Sequence, residues 1–305
     1  MGMSFYFIRH GKTVFNTQHK VQGWCDSPLV EEGVAAARAI GGKLAGIDFA
    51  AAYASDKGRT CQTLAELLDA RAEARGESLG LAAGSKHPAA PNGSEADETV
   101  PRGIDLPWPA SSLNAPDHAE PSAKPAVTLP SASPSTDGAA IRLDALRASL
   151  TTGAPAKVAG LPLCTDWRLR EWCYGDLETR AGENLHRRLT EGFGEELTFA
   201  EENERLPETA DNLARLDRSG RAEWFADVER RLRSFLTEVG DATLAAGGGN
   251  VLATTHAFTI RTLMYLLDPA RVNDPLIIQN GSLTRIDYDG VRFALRETGV
   301  LEPRG

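Results

Sequence analysis

The chain has few of the residues that build metal centres and disulfide frameworks. Its 305 residues include only four cysteines, at Cys25, Cys61, Cys164 and Cys173, and no two of them have C-x-x-C spacing. Zinc ribbons, redox motifs and disulfide scaffolds depend on closer, regular cysteine spacing. We therefore predict no bound metal, no cofactor and reduced thiols, as in a cytoplasmic protein.

Long apolar runs and an excess of positive charge are also absent. No apolar stretch reaches the roughly 20 residues that a membrane-spanning helix needs. Lysine and arginine number 33 against 42 acidic residues, a formal charge of −9, which argues against a nucleic-acid surface. The first residues lead into a strand-like segment without a basic leader, so we expect no signal peptide. We expect a cytoplasmic protein with no membrane or nucleic-acid partner, and its oligomeric state stays open.

Apolar segments of strand length alternate with longer segments of helical periodicity through most of the chain. Strands are predicted at 5–8, 48–55, 161–164, 250–255, 283–288 and 291–296, and helices at 31–45, 59–75, 221–246 and 259–267, with a polar helical capping segment between 182 and 220. This alternation predicts an α/β fold with a mainly parallel central sheet and helices on both faces. We expect a single domain over residues 1–305.

One segment, residues 76–139, departs from this pattern. It is rich in Ala, Pro, Ser, Gly and Asp, its prolines recur from Pro88 to Pro134, and it has no sustained hydrophobic period. Such a composition buries too little apolar surface to offset the entropy that ordering costs. We predict a disordered, low-complexity insertion here and a short helix over 141–150.

The most informative segment is the amino-terminal apolar run, which ends abruptly in Arg9-His10-Gly11. Open α/β sheets bind ligands at the carboxyl ends of their strands, where these three residues fall. Glycine lets the backbone turn closely beside a ligand, and the arginine fork matches phosphate oxygens. A neutral histidine nitrogen is a nucleophile near pH 7. Together the residues predict a phosphate pocket that contains the nucleophile His10.

Four further segments carry polar residues in a recognisable order. They are residues 21–29 (VQGWCDSPL), 53–63 (YASDKGRTCQT), 169–178 (LREWCYGDLE) and 251–256 (VLATTH). Together with Arg-His-Gly they resemble the histidine phosphatase superfamily, in its phosphoglycerate mutase-like branch. The resemblance extends over roughly 1–75 and 161–290 and implies the phosphoglycerate mutase-like fold.

The resemblance implies that His10 becomes phosphorylated and that Arg9, Arg59 and His256 complete the phosphate pocket. Two guanidiniums and an imidazolium would then offset the negative charge that develops on the transferred group. The residues alone also allow a solvent-facing Arg59 on its helix and a buried core histidine at His256.

Glu171 is the candidate general acid. An alkoxide leaves a phosphate ester poorly unless it is protonated, and a carboxyl group in a desolvated site has the raised pKa that lets it hold a proton. In the second half of the reaction Glu171 would take a proton from water. The alternative is a surface glutamate paired with Arg168 or Arg170; the Leu-Arg-Glu context favours the acid.

Other positions near these motifs are expected to contact phosphate or substrate. They are Thr13, Asn16, Gln22 and Gly23. Two positions differ from the family pattern: Ala257 follows His256 where a glycine is usual, and Thr179 follows Glu178 where a glycine is frequent. Both put the local loop shape in question.

These residues predict a metal-independent phosphatase that hydrolyses small phosphate monoesters through a phosphohistidine on His10. A phosphoglycerate mutase, which returns the phosphoryl group to another hydroxyl, is the alternative. It would need added basic residues, for which Arg187-Arg188 is a candidate, although a solvated helix face explains that pair as well. A third interpretation is a non-catalytic module that binds phosphate or acts as a scaffold.

Overall fold

The computed structural model describes residues 2–77, 146, 150 and 160–303, together with the backbone of 81–83 and 156–158. Within this part, eight strands form one sheet. They are β1 (Met3–Arg9), β2 (Ala51–Ala54), β3 (Leu81–Ala83), β4 (Ala156–Val158), β5 (Leu161–Thr165), β6 (Gly249–Thr255), β7 (Leu283–Tyr288) and β8 (Phe293–Val300).

The strand order is β3-β4-β5-β2-β6-β1-β7-β8. The four central strands β5, β2, β6 and β1 are parallel to one another, and antiparallel strands extend the sheet at both edges. The predicted parallel central sheet is confirmed. The predicted closing hairpin is present as β7 and β8.

Helices cover both faces of this sheet. They are α1 (Val14–Thr17), α2 (Glu31–Lys43), α3 (Gly58–Ala74), α4 (Gly182–Phe193), α5 (Phe199–Glu204), α6 (Leu206–Leu216), α7 (Phe225–Ala245) and α8 (Ala257–Leu267). Short 3-10 turns lie at Trp167–Leu169, Gly175–Leu177 and Pro269–Arg271. No helix in the described ranges is both long enough and apolar enough to cross a bilayer.

The two faces of β1 explain why its sequence is apolar at consecutive positions. Phe5 and Phe7 pack into a core with Phe235 of α7, whereas Tyr6 and Ile8 pack into a second core with Leu64 of α3. Successive side chains of a strand point to opposite faces, so a strand covered on both sides has no polar face. The continuous apolar run therefore marks a central strand.

The parallel arrangement brings three strand ends to one edge of the sheet. Arg9 pairs with Thr255 and Ala54 pairs with Thr254, so β1, β6 and β2 end side by side. The next residues along the chain are His10, His256 and Ser55. This edge is the place predicted for the functional residues.

The predicted insertion over 76–139 lies almost entirely outside the described residues, so its disorder and the domain boundaries stay predictions. Residues 81–83 belong to that segment and form β3, an edge strand antiparallel to β4. In the segment predicted as a short helix, Leu146 and Leu150 are helical and buried in the core beside α3.

Candidate active site

His10 follows β1 directly and is held by its neighbours on three sides. Its backbone N–H donates to the carbonyl of Thr255 over 2.9 Å, and its own carbonyl accepts from Asn280 Nδ2 over 2.8 Å. The ring nitrogen Nδ1 lies 2.8 Å from the carbonyl oxygen of Gly11. Because a carbonyl only accepts, Nδ1 carries the proton and Nε2 keeps its lone pair.

The surroundings of His10 keep the imidazole neutral. Burial holds the pKa of His10 well below its usual 6.5, and the positive charges of Arg59 and Arg9 lower it further. A neutral ring with a fixed tautomer is the nucleophilic form. The sequence prediction of His10 as a nucleophile therefore has a matching geometry.

Gly11 is needed for close packing. A Cβ atom at this position would collide with the carbonyl oxygen of Gly33 in α2. The Gly11 N–H donates to Thr63 Oγ1 over 3.0 Å, which ties the loop after β1 to α3.

Arg59, in the first turn of α3, is fully buried and organises the centre of the site. Its Nη1 group donates to the Cys25 carbonyl over 2.7 Å and to Asp26 Oδ1 over 3.1 Å. Its Nη2 group donates to the Gly23 carbonyl over 2.7 Å and contacts His256 Nδ1 over 2.9 Å. The structure excludes a solvent-facing Arg59.

The tautomer of His256 follows from this contact. Arg59 can only donate, so His256 Nδ1 must accept, and Nε2 then carries the proton toward Ser55 Oγ at 2.9 Å. Burial and the charge of Arg59 hold the pKa of His256 well below 6.5. The expected imidazolium is therefore wrong for this arrangement: His256 is neutral, because a second proton would face the guanidinium. Its ring lies against that of His10, with centroids 5.3 Å apart.

Arg9 lies at the end of β1 and donates from Nη1 to the carbonyl of Ile278. Burial lowers the pKa of its guanidinium to about 10, while the charge of Glu171 acts in the opposite direction. Arg9 therefore stays positive at neutral pH. In the described part of the chain, the buried Nε groups of Arg9 and Arg59 have no hydrogen-bond acceptor.

Glu171 is buried and bonded to the start of α8. Its Oε2 accepts from the Phe258 N–H over 3.0 Å, and its Oε1 accepts from Thr259 N over 2.9 Å and from Trp172 N over 3.2 Å. Burial raises the pKa of Glu171, and the bond from Phe258 N–H is the largest of the opposing effects. The raised pKa fits a proton donor.

The surface alternative for Glu171 is excluded. Arg170 forms a bidentate ion pair with Asp56, with distances of 2.7 and 2.5 Å. Arg168 pairs with Asp166 and Glu238. Both arginines therefore pair with other carboxylates. The nearby charge that acts on Glu171 is that of Arg59, which lowers its pKa.

Thr13 was expected to contact phosphate or substrate, which stays a prediction. Its hydroxyl is buried and caps α1, because it accepts from Asn16 N and donates to Gln22 Oε1 over 2.8 Å. Gln22 also donates to Ser27 Oγ over 3.1 Å. Thr13 and Gln22 therefore shape the loop that borders the site. Asn16 Oδ1 accepts from Thr13 N and from Asn280 Nδ2, so its contact with substrate stays a prediction.

Gly23 is likewise a packing residue. A Cβ atom there would collide with the Trp172 carbonyl, the Gly23 N–H donates to Glu178 Oε2 over 3.0 Å, and the carbonyl accepts from Arg59. The same carboxylate of Glu178 also accepts from the N–H groups of Trp24, Cys25 and Tyr174. The backbone of Gly23 is therefore bonded inside the protein, and its contact with phosphate or substrate stays a prediction.

The two departures from the family pattern have different structural consequences. Ala257 is the first residue of α8, where any L-residue fits, so the missing glycine there costs nothing. Thr179 has φ +69°, in the left-handed region that favours glycine.

Sequence reasoning missed three residues that position the reactive groups. Asp26 accepts from Gly58 N and from Arg59, Ser55 binds His256, and Asn280 holds the His10 carbonyl. Asp26 and Ser55 lie inside segments that the resemblance had marked, whereas nothing in the sequence around Asn280 indicates its role.

Among the described residues no group of three or more His, Cys, Asp or Glu side chains is placed to hold a metal ion. The positive charge near His10 comes from Arg9 and Arg59.

Comparison with known proteins agrees with this geometry. The histidine phosphatase superfamily (branch 1) matches residues 5–78 and 144–300. The 2,3-bisphosphoglycerate-dependent phosphoglycerate mutase 2 of Gloeobacter violaceus is 40% identical over 63 residues, 21% of this chain and 29% of that protein. A probable phosphoglycerate mutase of Proteus mirabilis is 38% identical over 66 residues, 22% of this chain and 30% of that protein. These matches span less than a third of either relative.

Solved structures extend the likeness to the whole fold. Phosphoglycerate mutase from Bacillus anthracis superposes with a TM-score of 0.66 at 23% identity, covering 98% of this chain and 94% of that one. The mycobacterial glucosyl-3-phosphoglycerate phosphatase gives 0.53 at 16% identity, covering 97% and 98%. At these identities the likeness shows the fold. The family match and the site together place this chain in the histidine phosphatase superfamily, branch 1.

Proposed function

We propose that this protein is a phosphatase that hydrolyses phosphate monoesters through a phosphohistidine on His10. The observation that carries the proposal is the fixed tautomer of His10, whose Nδ1 is bonded to the Gly11 carbonyl while Nε2 keeps its lone pair. Arg59 is buried and Arg9 half-buried nearby, and each has a buried Nε–H group that lacks an acceptor among the described residues. Phosphate oxygens are suitable acceptors for such groups.

In the first step, His10 Nε2 attacks phosphorus and the bond between phosphorus and the ester oxygen breaks. Glu171 gives its proton to the departing oxygen, which leaves as an alcohol. Arg9 and Arg59 offset the charge on the phosphoryl oxygens, so the protein supplies mainly positioning and electrostatics.

In the second step, water loses a proton to Glu171 while its oxygen attacks phosphorus. The bond between phosphorus and Nε2 breaks, inorganic phosphate leaves, and His10 returns to its neutral form. Glu171 regains its proton, so the cycle is closed.

The basic pair in the capping segment argues for water as the acceptor rather than a second hydroxyl of the substrate. Arg188 is bonded to Asp176 over 3.0 Å and to the Leu216 carbonyl over 2.9 Å. Arg187 is exposed and donates to Asn184 over 2.9 Å. A mutase must grip the substrate carboxylate, whereas Arg188 is engaged in holding the cap and Arg187 bonds within its own helix.

The test is to follow 4-nitrophenyl phosphate and 3-phosphoglycerate by 31P NMR. A phosphatase releases inorganic phosphate from whichever ester it accepts, whereas a mutase turns 3-phosphoglycerate into its isomer. His10→Ala is expected to abolish turnover and acid-labile labelling of the protein together. An isomerised product without inorganic phosphate would support the mutase, and no turnover of any ester would support the non-catalytic module.

A further inference from the structure

The capping segment encloses a second space beside the site. A cavity of about 670 Å³ lies between α4, α5, α6 and the start of α8. Sites for small organic ligands have volumes of about 300–1,000 Å³. Its apolar lining includes Trp172, Tyr174, Leu189, Phe199, Leu213 and Phe258.

This cavity touches a residue that is bonded to the candidate proton donor. Phe258 lines it, and the N–H of Phe258 donates to Glu171 Oε2, which is the candidate proton donor. Tyr174 also lines it, and burial raises the pKa of its hydroxyl well above 10. The departing half of a phosphate ester, which takes its proton from Glu171, therefore has this cavity beside it.

One carboxyl group in the lining accepts no hydrogen bond from the described residues. Glu202 of α5 is 8% exposed, and in the described part of the chain nothing donates a hydrogen bond to its side chain. The threonine hydroxyls beside it are committed, because Thr209 Oγ1 donates to the Glu202 carbonyl and Thr198 Oγ1 donates to Glu201. Burial raises the pKa of this carboxyl group, and the nearby His186 acts in the opposite direction. A donor on a bound ligand would stabilise its charged form further.

The charge of the lining restricts the ligand further. Glu196 and Glu202 line the cavity, and among the described residues no lysine or arginine does. His186 is the remaining basic side chain, and it is exposed and lies 3.2 Å from Glu196. A leaving group with a carboxylate or a second phosphate would be repelled.

We propose that this cavity selects the organic half of the substrate, an apolar group that carries an amino or hydroxyl donor for Glu202. The proposal rests on the phosphatase function proposed above and names its substrate class. Aromatic and aliphatic side chains contact the apolar part of the ligand, and Glu202 accepts a hydrogen bond from its amino or hydroxyl group. Phosphoglycerate has a hydroxyl donor but also a carboxylate and no apolar body, so it falls outside this class.

The probes are phenyl phosphates with different para substituents. One carries methyl, three carry an aminoalkyl chain of one, two or three carbons, and one carries a carboxymethyl group. Phosphate release gives kcat/KM for each ester with the full chain and with Glu202→Gln, which keeps the shape and removes the charge. Glu191→Gln is the matched control, because Glu191 is exposed on α4 and does not line the cavity.

For the unaltered chain we expect kcat/KM of at least one aminoalkyl ester to be about tenfold higher than that of the methyl ester. The kcat/KM of the carboxymethyl ester should be lower than that of the methyl ester. Glu202→Gln should remove most of the amino preference while the methyl ester changes less than threefold, and Glu191→Gln should leave the whole pattern unchanged. Equal kcat/KM for all five esters, or a preference that survives Glu202→Gln, overturns this inference while the phosphatase stands. Failure to release phosphate from any ester would contradict the proposed function itself.

Discussion

Arg59 Nη2 lies 2.9 Å from His256 Nδ1, and this contact fixes the tautomer of a histidine at the centre of the site. The same guanidinium holds the carbonyls of Gly23 and Cys25 and the carboxylate of Asp26. A single buried side chain therefore ties α3 and the end of β6 to the loop over 23–26.

Arg59→Lys should show that this role depends on the planar fork. A lysine has three donors on one atom and cannot reach all four acceptors at once. We expect kcat/KM for an aryl phosphate to fall at least about 100-fold and the free energy of unfolding to fall by about 2–4 kcal/mol. Urea unfolding and phosphate release measure the two effects. Arg38→Lys is the control. Arg38 is partly exposed and pairs with three carboxylates, those of Glu66, Asp69 and Glu73. Because lysine can keep part of these pairs, the free energy of unfolding should fall by less than about 1 kcal/mol. Similar losses in both variants would contradict a special role for Arg59.

Stability should decline in acid because of the two buried histidines. Their pKa values in the folded chain lie well below 6.5, so only the unfolded chain takes up protons as the pH falls through 6.5. The stabilisation is complete above pH 6.5 and is lost below it, by at most about 1.4 kcal/mol per pH unit for each histidine.

Urea unfolding at pH 7.5 and 5.5 checks this prediction. His256→Gln should make the loss between the two pH values smaller, because one titrating group is gone. His186→Gln replaces an exposed histidine and should leave the loss unchanged. A loss that is the same in all three proteins would show that these rings are not buried in neutral form.

Glu171→Gln should affect esters according to their leaving groups. Loss of a general acid costs about 10²–10⁴-fold where the leaving oxygen needs a proton, and much less where it does not. We expect alkyl phosphates to suffer far more than 4-nitrophenyl phosphate. Because the carboxylate also accepts the N–H groups of Phe258 and Thr259, thermal unfolding should be recorded beside the rates. Equal losses of rate for both kinds of ester would show that Glu171 only caps the start of α8 and does not act as the proton donor.

Thr179→Gly should stabilise the protein. Thr179 is exposed and has φ +69°, a conformation that costs an L-residue about 1–2 kcal/mol and glycine almost nothing. After the added entropy of a glycine in the unfolded chain, a net gain of about 0.5–1 kcal/mol is expected. Thr190→Gly in α4 is the control. It adds the same entropy to the unfolded chain but relieves no strain, because Thr190 has ordinary helical geometry, so this variant should be less stable than the unaltered protein. A loss at both positions would contradict strain at Thr179.

A chelator should leave phosphate release unchanged. Arg9 and Arg59 supply the positive charge near His10, so the proposed steps need no divalent ion. Rates measured with excess EDTA, and again after addition of Mg²⁺ or Zn²⁺, test this. A loss on chelation that one metal restores would overturn the proposed mechanism.

The sequence predicted those parts of the site that local patterns encode. The apolar run before Arg9 marked a central strand, and the strand before His256 marked its parallel neighbour, so their meeting at one sheet edge followed from topology. The protonation state of His256 could not be read in this way, because it depends on Arg59, which is 197 positions away in the chain. The role of Asn280 was hidden for the same reason.

The positions of β3 and β4 set the freedom that this chain has to change its length. Ala83 and Ala156 face each other in the outermost strand pair, and β5 and β2 separate that pair from β6 and β1. Whatever joins two such neighbours begins and ends at nearly the same point, and lengthening it adds closure entropy only logarithmically. Residues could therefore be gained or lost between these strands over evolutionary time while the two histidines keep their separation.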